Sequence, residues 1–145
     1  MIKKIISLVL FSALCTPVFA AVNKVAIVDV QKVVNKSAQV QALKKEQDAK
    51  KKELAAFIKK ANDEIKAQTD VSKKKALSQK YEKEFAAKAE ANQKAYKTKL
   101  EAIDKSISAT IAQQAKAMGY DLVLTKGVVL YGGEDITEAI SKVVK

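Results

Sequence analysis

The stretch from Lys36 to Met118 contains no Gly and no Pro. It is rich in Ala, Lys, Glu and Gln, which favour helix. Because Gly and Pro are the residues that most often end helices, this stretch predicts α-helix over nearly its whole length. The helix is either one long rod or a hairpin of two helices, and the rest of the fold must be built around it.

A turn near Asp70 is the favoured interpretation. The apolar stripe of the helix lapses between Ile65 and Leu77. Asp70 lies in this gap and is a residue type that caps helix N-termini. Three consecutive Lys follow at 73–75, a charge run suited to a solvated tip. The sequence therefore predicts a helical hairpin with its tip near 69–75.

The spacing of the apolar residues supports the hairpin. Between Leu77 and Met118 the stripe recurs about every 3.7 residues, which predicts a nearly straight or slightly right-handed helix rather than a leucine zipper. Folding the chain near its middle places Phe57 near Tyr81, so that the stripes of the two halves face each other. It also returns the C-terminal segment to the N-terminal one, which a single rod does not do.

The ends of the chain predict a small β body. Val25–Val28 is a continuous apolar run typical of a buried strand. The segments DLVLT (121–125) and GVVLY (127–131) are β-branched and apolar, and the Lys126-Gly127 step between them predicts a β-hairpin. A capping-box-like sequence from Asp135 to Glu138 then predicts a short last helix. The expected fold class is α+β, with a helical hairpin arm (36–118) projecting from a three-strand body (21–35 and 119–145).

Residues 1–20 predict a cleaved secretory signal peptide. Two Lys precede a short apolar run, and Val18 and Ala20 stand at the −3 and −1 positions of the cleavage site. The run is too short to anchor the chain in a bilayer. Leu14 before Cys15 departs from a lipobox, so a lipoprotein is the weaker alternative. We expect an exported protein without disulfides, because Cys15 is the only Cys.

The predicted body is too small to be stable alone. Three short strands also leave open edges that invite pairing with another chain. We therefore expect oligomerisation through the strands. The predicted interface residues are Val25, Ile27, Leu122, Leu124, Val128 and Leu130.

Most of the net charge of +11 lies in the arm. Residues 36–118 contain 20 Lys and 11 acidic residues, a net charge of +9, whereas the two ends after the signal peptide hold five of each. Every basic residue is Lys, which predicts a diffuse positive field rather than a shaped receptor. Nucleic-acid binding is an alternative prompted by this basicity. The signal peptide and the absence of Arg, the commonest base-reading residue, argue against specific nucleic-acid recognition.

No catalytic pattern is present in the sequence. There is no GxxxxGK[ST] motif, no Ser/His/Asp set and no metal-binding cluster, since the chain has no His. We therefore expect neither an enzyme nor a cofactor. A structural coiled-coil protein of the envelope is a further alternative, although sustained heptads are lacking.

The signal peptide, KVAIVDVQKVV (24–34), the Lys/Ala/Glu/Gln-rich middle and GYDLVLTKGVVLYGGEDITEAISKVVK (119–145) together resemble the Skp/OmpH-type periplasmic chaperones. The resemblance implies a homotrimer with a β-barrel-like body and three helical arms around a cavity. It implies a holdase that keeps unfolded outer-membrane proteins from aggregating in the periplasm without ATP. It also implies contact with an anionic lipid or lipopolysaccharide surface, although the clustered basic residues of such a site cannot be placed here.

A holdase of this kind would use the arms to bind its unfolded substrate, the client. Lys side chains would steer acidic clients at long range, and apolar side chains would supply short-range adhesion. For Phe57 and Phe85 an alternative role is to pack the two helices together. The predicted client-binding residues are Leu54, Phe57, Ile58, Lys59, Lys60, Ile65, Lys73, Lys74, Lys75, Leu77, Tyr81 and Phe85.

Overall fold

The computed structural model describes residues 24–144, so the predicted signal peptide lies outside the described residues. The elements in chain order are β1 (Val25–Val28), α1 (Val30–Lys36), α2 (Ala38–Ala67), α3 (Val71–Ala117), β2 (Leu122–Thr125), a 3-10 turn (Lys126–Val128), β3 (Glu134–Asp135) and α4 (Thr137–Val143). Two long helices and a three-stranded sheet confirm the predicted α+β class.

The predicted helical hairpin is confirmed. Helices α2 and α3 are separated by three residues, Gln68 to Asp70. The Asp70 carboxylate accepts a hydrogen bond from the Lys73 amide at 2.8 Å, which caps the first turn of α3. At 47 residues, α3 is about 70 Å long at 1.5 Å per residue. The two helices form an arm that extends far beyond the sheet.

A short helix, α1, connects the sheet to the arm, and the sequence analysis did not identify it. Asp29 caps its start by accepting a hydrogen bond from the Lys32 amide at 3.0 Å. Ser37 ends it, because its backbone is extended, with φ −65° and ψ 126°. The Ser37 hydroxyl then caps α2 by accepting from the Val40 amide. A single buried residue therefore changes the direction of the chain between α1 and the arm.

The predicted β-hairpin is wrong. All three strands are parallel, in the order β2-β1-β3. A tight two-residue hairpin loop needs a positive φ, and Gly127 does not have one, so the chain continues through the 3-10 turn. The predicted strand GVVLY does not form. Gly132 and Gly133, with φ of +85° and +88°, redirect the chain so that β3 pairs on the other side of β1.

One face of the sheet is covered by helices. Ala26 and Val28 of β1 are fully buried in a core with Val33 of α1, Ile107 of α3 and Ile140 of α4. Because side chains alternate along a strand, Val25 and Ile27 lie on the opposite face, as do Leu122 and Leu124 of β2. None of these four residues belongs to the core. The sheet therefore has one buried and one open face.

The arm is joined to the sheet at the C-terminal end of α3. The ammonium of Lys24 lies 4.2 Å from the centre of the Tyr120 ring and donates to the carbonyl of Met118, the C-cap residue just after α3, at 3.4 Å. A positive charge here also complements the helix dipole. A hydrogen bond with Glu134 raises the pKa of Tyr120 to about 12. These contacts connect the base of the arm to β1 and β3.

The predicted short last helix forms, but the hydrogen bonds at its start differ from those of the predicted capping box. Asp135 is the last residue of β3, and its carboxylate accepts from the Thr137 amide at 3.0 Å. The Thr137 hydroxyl in turn accepts from the Asp29 amide at 2.9 Å. Glu138 forms ion pairs with Lys32 and Lys36 of α1 instead of reaching back along its own helix. The start of α4 is therefore held by contacts with α1 and with Asp29, the N-cap residue of α1.

Candidate functional site

The outer half of the arm is held together by an aromatic contact between its two helices. The rings of Phe57 and Tyr81 meet edge to face, with centroids 5.6 Å apart. Lys88 lies over the Phe57 ring at 5.5 Å, and the Tyr81 hydroxyl donates to the Glu64 carboxylate. This hydrogen bond, together with burial, raises the pKa of Tyr81 to about 12. Phe57 and Tyr81 are therefore engaged within the arm.

The other predicted client-binding residues fall into two groups. The half-buried ones are Leu54, Ile65, Leu77 and Phe85. The exposed ones are Ile58, Lys59, Lys60, Lys73, Lys74 and Lys75. Only the second group is fully available to a partner in a single chain.

The tip of the arm is a concentration of positive charge. Lys73, Lys74 and Lys75 form the first turn of α3 together with Val71 and Ser72, and the three Lys side chains are exposed. This turn contains no acidic residue. The N-terminus of a helix carries a partial positive charge, so the ammonium groups add to that field. The tip presents positive potential to any approaching molecule.

The base of the arm contains an apolar groove that the sequence analysis did not identify. This base groove lies between α2 and α3 on one side of the arm and has a volume of about 620 Å³. Its apolar lining consists of Val34, Val40, Leu43, Tyr96, Leu100, Ile103 and Ile107. Tyr96 is 38% exposed and Leu100 is 46% exposed, which is high for residues of the stripe that faces the other helix.

The rim of the base groove is polar and carries both signs of charge. The rim residues are Lys44, Gln47, Asp48, Lys51 and Asp104. Two Lys and two Asp give a net charge of zero, whereas the arm as a whole is strongly positive.

The opposite side of the arm base has a smaller cavity that is bordered by a salt bridge. There the ammonium of Lys99 lies 2.6 Å from a carboxylate oxygen of Glu46 on the facing helix. Ala102 and Ser106 line this side, and its cavity has a volume of about 400 Å³. The two sides of the arm base therefore differ, because only the base groove combines an apolar lining with large half-exposed side chains.

The open face of the sheet carries the predicted interface residues. Val25, Ile27 and Leu124 are half-buried, and Leu122 is 41% exposed. Beyond β2, Val128 and Leu130 are exposed, at 72% and 105%. Tyr131, at 99%, extends the same loop and was not predicted. Exposed apolar side chains of this kind are a frequent feature of interaction surfaces.

Two kinds of site were not found in the part of the chain that the structure describes. None of the helices within residues 24–144 combines the length and the apolar character that crossing a membrane requires. Over the same range, His, Cys, Asp and Glu side chains are nowhere grouped so as to hold a metal ion.

Comparison with known proteins identifies the family. The model of the family described as "Outer membrane protein (OmpH-like)" matches residues 24–144, which is most of the chain. The chain belongs to this OmpH-like family, and the resemblance seen in its sequence is confirmed. Among curated proteins, none matches the sequence significantly. The family points to a periplasmic chaperone of outer-membrane proteins.

Proposed function

We propose that this protein is a periplasmic, ATP-independent holdase that binds unfolded outer-membrane proteins between helical arms and prevents their aggregation. The observation that carries the proposal is a long, positively charged hairpin arm with an open apolar groove at its base. Membership of the OmpH-like family supports it. Such a protein acts by binding alone, without chemistry on its client.

The proposed assembly is a homotrimer formed through the open face of the sheet. In a single chain, this face leaves Val25, Ile27, Leu122 and Leu124 outside the core. The adjoining loop leaves Leu130 fully exposed. Burying this surface against other copies would gain roughly 25 cal/mol for each Å² of apolar area removed from water. The number three comes from the family resemblance, which implies a shared body with three arms.

Client capture is proposed to proceed in two stages. The excess Lys of the arms attracts acidic unfolded chains, and this attraction acts over about 10 Å at moderate salt. Exposed apolar groups then retain the client through many weak contacts. Because no single contact is strong, the client can leave without an energy source when a better partner is available.

The tip of the arm is proposed to contact an anionic lipid or lipopolysaccharide surface. Lys73, Lys74 and Lys75 are exposed there and share the tip with the positive end of α3. Each Lys close to an anionic bilayer contributes about 1 kcal/mol to the free energy of membrane binding. Such a contact would bring a loaded chaperone to a membrane surface.

The test of the proposal is an aggregation assay. The chain without residues 1–20 is mixed with a urea-unfolded outer-membrane β-barrel protein, the urea is diluted, and light scattering is followed without ATP. We expect scattering to fall as the molar ratio of chaperone to client rises, with no further effect of added ATP. Poly-lysine at matched charge is the control for electrostatic binding alone. Scattering no lower than in the poly-lysine sample would contradict the proposal.

A further inference from the structure

We infer that the base groove binds a short extended segment of the client in which apolar and polar residues alternate. This inference rests on the proposed holdase function and names the part of the client that one site on the arm would take. It concerns the groove side of the arm base, not the opposite side, which the Glu46–Lys99 salt bridge borders.

The length of the groove sets the length of the segment. From Tyr96 to Ile107, α3 rises about 16 Å at 1.5 Å per residue. An extended chain of about five residues covers this distance at 3.3 Å per residue. The volume of about 620 Å³ falls in the range typical of ligand pockets.

The apolar lining of the groove determines which residues of the segment must be apolar. Alternate side chains of an extended chain point in opposite directions. The first, third and fifth residues of a five-residue segment would therefore contact the apolar lining, with Tyr96 and Leu100 on its exposed side. The second and fourth would point to water and tolerate any polar residue. Strands of outer-membrane barrels have this alternation of apolar and polar residues.

The rim of the groove suits the backbone of an extended chain. An unfolded chain carries unpaired N–H donors and C=O acceptors. Within residues 24–144, the side chains of Lys44, Asp48, Lys51 and Asp104 form no ion pair or hydrogen bond with another residue. Their ammonium groups can donate to backbone carbonyls, and their carboxylates can accept from backbone amides.

The charge of the rim favours an uncharged occupant. With two Lys and two Asp, the rim lacks the positive excess that the rest of the arm carries. An anionic lipid would gain nothing from the two carboxylates. A neutral alternating segment has no such conflict, so the groove and the Lys-rich tip would serve different parts of the same client.

The experiment places a photo-reactive benzophenone side chain at position 100, in the base groove, or at position 106, in the opposite cavity. The otherwise intact mature chain is mixed with the urea-unfolded barrel protein and irradiated. We expect cross-linking to the client to be several-fold greater at position 100 and to map to segments of alternating pattern. Equal cross-linking at the two positions, cross-linking mainly to a second copy of the chain, or cross-links outside alternating segments would overturn the inference.

A peptide competition gives a second readout. An uncharged alternating peptide should reduce cross-linking of the client at position 100, whereas a scrambled peptide of the same composition should not. Leu100→Gln should weaken binding of the alternating peptide by about tenfold, the scale of losing one apolar contact. Ala102→Gln, on the opposite side of the arm, should leave it unchanged, and circular dichroism checks that both variants remain helical. Equal effects of the two substitutions, or no preference between the peptides, would also overturn the inference.

The two proposals can fail separately. If the unmodified chain does not suppress aggregation of the client, the holdase function is wrong. If it suppresses aggregation but position 100 is not preferred, only the assignment of the base groove is wrong.

Discussion

The rings of Phe57 and Tyr81 meet at an angle of 75°, with their centroids 5.6 Å apart. This contact joins α2 to α3 in the outer half of the arm, far along the chain from the sheet. It gives both residues a structural role, because each ring already contacts the other helix. Tyr96 and Leu100, at the base of the arm, are 38% and 46% exposed, and the proposed client contact therefore lies there rather than at the two rings.

Replacing Phe57 with Ala should destabilise the arm. Loss of the aromatic contact and of a half-buried ring should cost about 2 kcal/mol. Ile58→Ala is the matched control on the same helix, and because Ile58 is 44% exposed, it should cost less than about 1 kcal/mol. Thermal unfolding followed by circular dichroism measures both. If the two substitutions had equal effects, Phe57 would not be the main contact between the helices.

Replacing Ile27 with Asp should break the proposed trimer. Ile27 lies on the open face of the sheet, and a carboxylate there would be buried without a partner in the assembly. Val71→Asp, at the exposed tip of the arm, should leave the assembly intact. Sedimentation velocity distinguishes the two variants. A trimer that survives Ile27→Asp would show that the chains associate through another surface.

Replacing Gly133 with Ala should destabilise the body. The φ of Gly133 is +88°, and a methyl group there would lie 2.7 Å from Cγ1 of Ile27. Strain of this kind costs about 1–3 kcal/mol. Gly127→Ala is the control, since its added methyl group would have no atom within 4 Å and its φ is not positive. Urea unfolding should show a lower midpoint for Gly133→Ala only, and equal midpoints would mean that the turn before β3 tolerates a side chain.

Acid should weaken the contact between α1 and α4. Hydrogen bonds from Lys32 and Lys36 lower the pKa of Glu138 to about 2. Because the folded pKa lies below the ordinary value of 4.5, this contact stabilises the protein above pH 4.5 and is lost as the pH falls toward 2. Glu138→Gln should therefore reduce the loss of thermal stability between pH 5 and pH 2, relative to the unsubstituted chain.

Glu138→Gln should remove only part of the loss of stability in acid. Hydrogen bonds from Thr137, and then from Lys126, hold the pKa of Asp135 at about 2 as well, so Asp135 titrates in the same range. Glu101→Gln, on an exposed part of α3, is the control and should not alter the acid dependence. If Glu138→Gln behaved like this control, the ion pairs with α1 would not contribute to stability.

The sequence predicts the arm well because the signals for it are local. Asp70 is an N-cap residue in a gap of the apolar stripe, and folding the chain there aligns Phe57 with Tyr81. The body is predicted less well because its strand pairing is not local. The segment GVVLY has the composition of a strand but does not form one, whereas Glu134–Asp135 has low strand propensity. This pair forms β3 because Gly132 and Gly133 place it beside β1.

The base groove could not be predicted from periodicity alone. Tyr96 and Leu100 occupy the same stripe as Ile103 and Ile107, so the spacing assigns all four to the contact between the helices. The structure buries Ile107 but leaves Leu100 nearly half exposed. That difference depends on how α2 lies against α3, which involves contacts between residues far apart in sequence.

Removing the charge at the tip should slow client capture. Changing Lys73, Lys74 and Lys75 together to Gln removes three of the net nine charges of the arm. The fold should survive because these side chains are exposed. Association with an acidic unfolded client should become slower and less dependent on salt, as expected when steering charges are lost. Stopped-flow measurements at low and physiological salt test this, and an unchanged rate and salt dependence would exclude steering by the tip.

The most direct test of the account is the mass of the complex between the chaperone and its client. The chain without residues 1–20 is mixed with an unfolded outer-membrane β-barrel protein, and the soluble complex is measured by native mass spectrometry without nucleotide. We expect three copies of the chain around one client, with the unbound chain also a trimer. A monomeric chain, or a client that precipitates without forming a complex, would contradict it.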